Sequence, residues 1–96
     1  MYTLRYFQEA IDDFNALDGA QKRLVEKSLK RIQERGMNAG EPLRGDLKGC
    51  NKLKHKKAGL RVIFREAKFG IEIIEIIAIG KREDAIVYSI AKKRLE

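Results

Sequence analysis

The chain of 96 residues contains one cysteine, one histidine, one proline and no tryptophan. Cys50 alone excludes an intramolecular disulfide, and Cys50 with His55 leaves too few soft ligands for a zinc site. A reducing, cytoplasmic setting and chemistry without metal or small-molecule cofactor are therefore expected. Long apolar runs are also missing. The longest, Ile71 to Ile79, is interrupted by Glu72 and Glu75, and the opening MYTLRYFQEA lacks the apolar stretch of an export signal. Neither a membrane span nor a membrane partner is expected. There is no internal repeat or low-complexity tract, and the length fits one domain, residues 1–96, with a real but modest core.

Acid is scarce in one half of the chain. Residues 1–36 hold seven bases and six acids, whereas residues 37–96 hold fourteen bases and eight acids, so almost all of the net charge of +7 lies in the second part. It is concentrated further between residues 44 and 65, RGDLKGCNKLKHKKAGLRVIFR, where eight bases face a single acid, Asp46. A cationic field of that density predicts a polyanionic partner.

The order of residues within this stretch carries more than their number. From Asn51 to Lys57 the sequence alternates, and on a strand this places Lys52, Lys54 and Lys56 on one face with Leu53 and His55 on the other. Lys57, Ala58 and Gly59 form a turn signal, and Leu60 to Glu66 resumes as a second strand. Pairing across that hairpin sets Arg61 beside the lysines, since cross-strand neighbours lie about 5 Å apart. His55, on the opposite face, is expected to be structural.

The remaining elements frame this hairpin. Tyr2, Leu4 and Tyr6 alternate as a short strand at a sheet edge, and Ala10, Ile11, Phe14 and Leu17 follow at helical spacing. Asp18 caps a second helix from Ala20 to Arg35, striped by Leu24, Val25, Leu29 and Ile32 and closed by Gly36. Met37 to Gly49 is a loop, and Lys68, Phe69 and Gly70 turn the chain into a β-branched strand over Ile71 to Ile79. Glu83 and Asp84 suit the first turn of a last helix whose apolar side is Val87, Ile90, Ala91 and Leu95. The sum is an α+β domain: a small antiparallel sheet of about four strands, two N-terminal helices on one face and a short C-terminal helix.

Three motifs stand in one register: Lys-x-Lys at Lys52 and Lys54, Gly-x-Arg-x-x-aromatic from Gly59 to Phe64, and Gly-Lys-Arg-x-x-x-x-Val-Tyr from Gly80 to Tyr88. In these, and in its element order, the chain resembles the RelE branch of the RelE/ParE toxin superfamily. The resemblance implies an endoribonuclease, or mRNA interferase, that cuts messenger RNA in the ribosomal A site and is silenced by a cognate, RelB-like antitoxin. By motif position, Lys52, Lys54, Arg61, Arg82 and Tyr88 would be the catalytic residues, with Arg44, Lys48, Lys56 and Lys81 as RNA-binding residues. Asn51 and Leu60 depart from the pattern, where tyrosine is frequent. Two other functions are compatible with a basic domain of this size: a ParE-like inhibitor that binds DNA gyrase, and an RNA-binding module without catalysis.

Metal-free RNA cleavage requires a base for the 2′-OH, cations for the charge building on phosphorus, and stabilisation of the departing 5′-oxygen. Crowding by Lys52, Arg61 and Arg82 would favour an unprotonated Lys54 as the base. A guanidinium is effectively never deprotonated, so Arg82 is assigned to charge stabilisation near the scissile phosphate and leaving group, and Arg61 to clamping the phosphate with electrostatic support from Lys52. Tyr88 is assigned to stacking on a nucleobase.

Overall fold

The computed structural model describes residues 1–70, 72–81 and 86–96. The elements run β1 (Thr3–Tyr6), α1 (Gln8–Asn15), α2 (Gly19–Arg35), β2 (Glu41–Pro42), β3 (Cys50–His55), β4 (Leu60–Glu66), β5 (Ile73–Lys81) and α3 (Ile86–Leu95). The five strands form one sheet in the order β1-β5-β4-β3-β2, antiparallel except where β1 runs parallel to β5. The class is the expected one, with two refinements that local pattern does not encode. A ladder of two residue pairs, Glu41 with Lys52 and Pro42 with Asn51, adds a fifth strand within the presumed loop. Single turns of 3₁₀ helix at Gly36–Ala39 and Gly45–Leu47 also shape the region expected as a loop from Met37 to Gly49.

Alternation along the strands sorts the core onto two faces. Leu53, Leu60, Val62, Phe64, Ile74 and Ile76 pack against Ala10 of α1 and Val25 and Ile32 of α2. Cys50, Ile63, Ile77 and Ala78 turn to the opposite face, against Leu47 and against Val87 and Ala91 of α3. The two N-terminal helices thus share one side and α3 takes the other, as their apolar stripes require.

Local signals explain the helix ends. Asp18 accepts a hydrogen bond from the Gln21 amide at 2.8 Å while the Gln21 side chain accepts from the Asp18 amide, a reciprocal cap that stabilises α2 by about 1 kcal/mol. Gly36 ends α2 at φ 61°, a conformation that disfavours other residues. Gly40 is required by space: a Cβ there would collide with the Lys52 carbonyl and sit 2.9 Å from the Phe64 ring.

A bulge positions the end of β5. Ile63 pairs with Ala78 but Phe64 pairs with Ile76, so Ile77 is an extra residue and the side chains beyond it exchange faces. Ile79 consequently joins Ile74 and Ile76 on the α1–α2 side, and Gly80 becomes the neighbour of Arg61. The expected strand over Ile71 to Ile79 is therefore shifted to Ile73–Lys81, with Ile71 outside the described residues. No helix among the described residues is long and apolar enough to cross a membrane.

Candidate RNA-binding and cleavage site

β3 and β4 build the site through their register. Lys54 and Arg61 are direct cross-strand partners, Lys52 pairs with Ile63, and Gly80 of β5 flanks Arg61 on its other side. Lys52, Lys54 and Arg61 therefore occupy the α3 face of the sheet, while Asn51, Leu53 and His55 take the other. Asn51 is buried there, its side-chain amide donating to the Met37 carbonyl at 2.7 Å.

Arg61 is the most enclosed cation of the group, 4% exposed. Its Nη1 donates to the Leu60 carbonyl at 3.0 Å and, among the described residues, its Nε has no partner. A buried guanidinium with an unused donor is an unfavourable arrangement unless an anion completes it. Beside it lies a cavity of about 500 Å³ whose walls include Lys54, Lys56, Lys57, Arg61 and Lys81. The described residues lining it include no carboxylate.

Tyr88 enters from α3. The Lys52 ammonium lies 5.7 Å from the centroid of the Tyr88 ring, a cation–π contact worth about 0.5–1 kcal/mol at a half-exposed position. The ring is half-buried beside the Leu47, Cys50, Ile63 and Val87 cluster. α3 is held there by little apolar area, since only Val87 and Ala91 are buried, and by two ion pairs. Lys92 meets Asp46 at 3.0 Å, which raises the lysine's pKa through hydrogen bonding and charge. Arg94 makes a two-pronged pair with Asp13 of α1 at 2.7 and 3.0 Å and donates to the Ile77 carbonyl at 2.9 Å, and its pKa too is raised, first by the Asp13 hydrogen bond. Asp13 also accepts from the Ile79 amide at 3.0 Å, so one carboxylate ties α1, β5 and α3 together.

Not every sequence candidate joins this cluster. Arg44 and Lys48 are exposed on either side of the Gly45–Leu47 turn and do not line the cavity. Lys56 and Lys81 do line it. Arg82 lies outside the described residues, as do Glu83 and Asp84, the expected first turn of the last helix. Arg65, one of the eight bases of the cationic stretch, is paired with Glu75 at 2.8 Å at the far end of the hairpin.

One residue of the site was missed by the sequence reading. Glu41 of β2 is the ladder partner of Lys52, and its carboxylate lies 3.3 Å from the Lys54 ammonium, with side-chain exposures of 61% for Glu41 and 26% for Lys54. The available signal was the pair Glu41-Pro42, because proline confines its predecessor to extended backbone and is tolerated on an edge strand. Among the described residues, no group of three or more His, Cys, Asp or Glu side chains converges as a metal site would require.

The class defined by this arrangement is a small α+β domain with a cationic cleft on the sheet face that also carries the C-terminal helix. Comparison with known proteins gives the family. A protein of Escherichia coli described as a RelE-like toxin is 30% identical over 94 residues, covering 98% of this chain and 97% of that one. The mRNA interferase toxin RelE of E. coli K12 is 28% identical over the same coverage. The chain belongs to the RelE-like toxins. Its backbone agrees with the crystal structure of isolated E. coli RelE at a TM-score of 0.74, 27% identity and full coverage of both chains. It also agrees with an E. coli RelE mutant bound to a peptide of antitoxin RelBc, at a TM-score of 0.73 and 26% identity over 94% of this chain and 93% of that one. No family profile matches the sequence.

Proposed function

We propose that this chain is the toxin of a type II toxin–antitoxin pair and an endoribonuclease that cuts messenger RNA in the ribosomal A site, without a metal ion. The observation carrying this reading is the pairing of Lys54 with Arg61 across β3 and β4, beside the Lys52–Tyr88 contact. The names of its relatives agree with it, E. coli RelE being an mRNA interferase toxin.

In the proposed reaction the 2′-oxygen of one ribose attacks the adjacent phosphorus and the bond to the 5′-oxygen breaks. The products are a 2′,3′-cyclic phosphate and a 5′-hydroxyl, the departing 5′-oxygen taking its proton from water. Lys54, once its ion pair with Glu41 has opened and its ammonium has given up a proton to solvent, accepts the 2′-OH proton as the neutral amine. Arg61 clamps the phosphate with its planar fork, supported by Lys52, and neutralises charge as it builds. Tyr88 stacks on a base of the bound strand. Arg82, by its motif position, stabilises the leaving oxygen. Arg44, Lys48, Lys56 and Lys81 hold phosphates further from the scissile linkage.

The partners that follow are the translating ribosome in the cytoplasm and a cognate antitoxin. A RelE structure with an antitoxin peptide supports the latter. A translating extract tests the reading: the wild-type chain should yield message fragments ending in cyclic phosphate, and Arg61→Ala should abolish them. Intact message with loss of DNA supercoiling would instead mark a gyrase inhibitor, and salt-dependent RNA binding without scission would mark a binding module.

A further inference from the structure

Lys57, at the tip of the β3–β4 hairpin, takes no part in the reaction just described, and its neighbour Lys56 serves there only as an outlying phosphate contact. Four residues, Lys56 to Gly59, join His55 to Leu60, and two consecutive lysines lead them. Lys56 and Lys57 are both exposed, and among the described residues no carboxylate pairs with either. Gly59 closes the turn at φ 65°, its amide donating to the Lys56 carbonyl at 3.3 Å, so the loop has a defined shape.

This loop lines the cavity together with Lys54, Arg61 and Lys81. Five cations around about 500 Å³, with no acid among the described lining residues, make a concave site whose field selects anions. The cavity is larger than one phosphate fills, and its lining includes Arg61, whose buried Nε has no partner among the described residues.

Strand geometry gives the site a direction. Lys52 and Lys54 are two residues apart on β3, hence about 6.5–7 Å, comparable with the separation of successive phosphates in an extended strand. Lys56 follows the end of β3 in the turn and lines the same cavity as Lys54, as does Lys57.

We propose that the hairpin tip, Lys57 together with Lys56, is a separate phosphate subsite, and that RNA tracks along β3 from the Lys52–Tyr88 contact towards residues 56–59. This rests on the RNA-cleaving reading and adds to it a path and a second anchoring point. The chain then holds more than the scissile linkage, and affinity grows with the number of phosphates on the hairpin side.

The test uses the full chain with non-cleavable 2′-O-methyl oligonucleotides of two to five residues, read by fluorescence anisotropy over a range of salt. In the wild type, lengthening the strand by one phosphate should raise affinity by about three- to fivefold. Lys57→Ser should lose most of that increment and flatten the slope of log affinity against log salt by about 0.7. Lys56→Ser should act in the same direction, while Lys27→Ser on the exposed face of α2 controls for net charge. A wild type without a length-dependent gain, or a Lys57→Ser protein with an undiminished gain and slope, overturns the subsite. Cleavage in the translating extract is scored separately. Its absence from a wild type that shows the length dependence would sink the nuclease reading and leave the subsite standing.

Discussion

Lys54 stands between two partners of opposite sign: Arg61 is its ladder neighbour on β4, and the Glu41 carboxylate lies 3.3 Å from its ammonium across β2. The site therefore contains an internal anion that a phosphate must displace, and a second group able to accept a proton.

The first prediction separates those two acceptors. Lys54→Arg keeps the charge but not the basicity, so cleavage should fall by about 10²–10⁴-fold while RNA affinity stays within a few fold. Glu41→Gln removes the competing anion, and cleavage should hold within about tenfold of wild type. Single-turnover cleavage of a ribosome-bound message measures both. A Glu41→Gln loss as deep as that of Lys54→Arg would move the proton-accepting role to the carboxylate.

Tyr88 should be sensitive to loss of its ring and indifferent to loss of its hydroxyl. Tyr88→Phe retains the surface for Lys52 and for a base, and should cleave at close to the wild-type rate. Tyr88→Ala should weaken the bound state by about 1–3 kcal/mol, read as a raised half-saturating concentration of programmed ribosomes. A Phe variant as damaged as the Ala variant would place the hydroxyl in the chemistry.

α3 should be released by a substitution far from the site. Asp13→Ala removes the acceptor for both Arg94 and the Ile79 amide in a half-buried setting, and should cost about 1–3 kcal/mol in urea unfolding. Arg94→Lys cannot reproduce the two-pronged pair and should lose part of the same amount. Since α3 carries Tyr88, cleavage should fall in both variants even at temperatures where the fold is intact.

Cys50 should be inert in the native protein. It is 3% exposed, and burial pushes its thiol pKa up, opposed in part by the charge of Arg65. Both effects of burial reduce attack by thiolate-directed reagents at neutral pH. An aromatic disulfide reagent should react in denaturant and only at the rate of opening in buffer. Fast labelling of the folded chain would show that β3 is less enclosed than its contacts with Leu47 and Val87 indicate.

Much of the site was legible because it rests on period two. The alternation from Asn51 to Lys57 placed Lys52 and Lys54 on one face, and the turn at Gly59 brought Arg61 beside Lys54. Helix α2 was equally clear, because Asp18 and Gly36 mark its ends and its apolar stripe repeats from Leu24 to Ile32. Ile90 shows where pattern falls short. It was placed on the apolar side of the last helix, yet it is 38% exposed, since only Val87 and Ala91 of that side reach the sheet interior.

The sequence by itself determined which residues lie on which face of each strand and helix, since side-chain direction follows from local backbone geometry. It could not determine which distant segments become neighbours. The parallel pairing of β1 with β5, the bulge at Ile77 that sets Gly80 beside Arg61, the two-residue strand that brings Glu41 to Lys54 and the Asp13–Arg94 tie were all decided by the tertiary structure. Those contacts join residues far apart in the chain, and their free energy depends on the packing of the whole sheet rather than on any local preference.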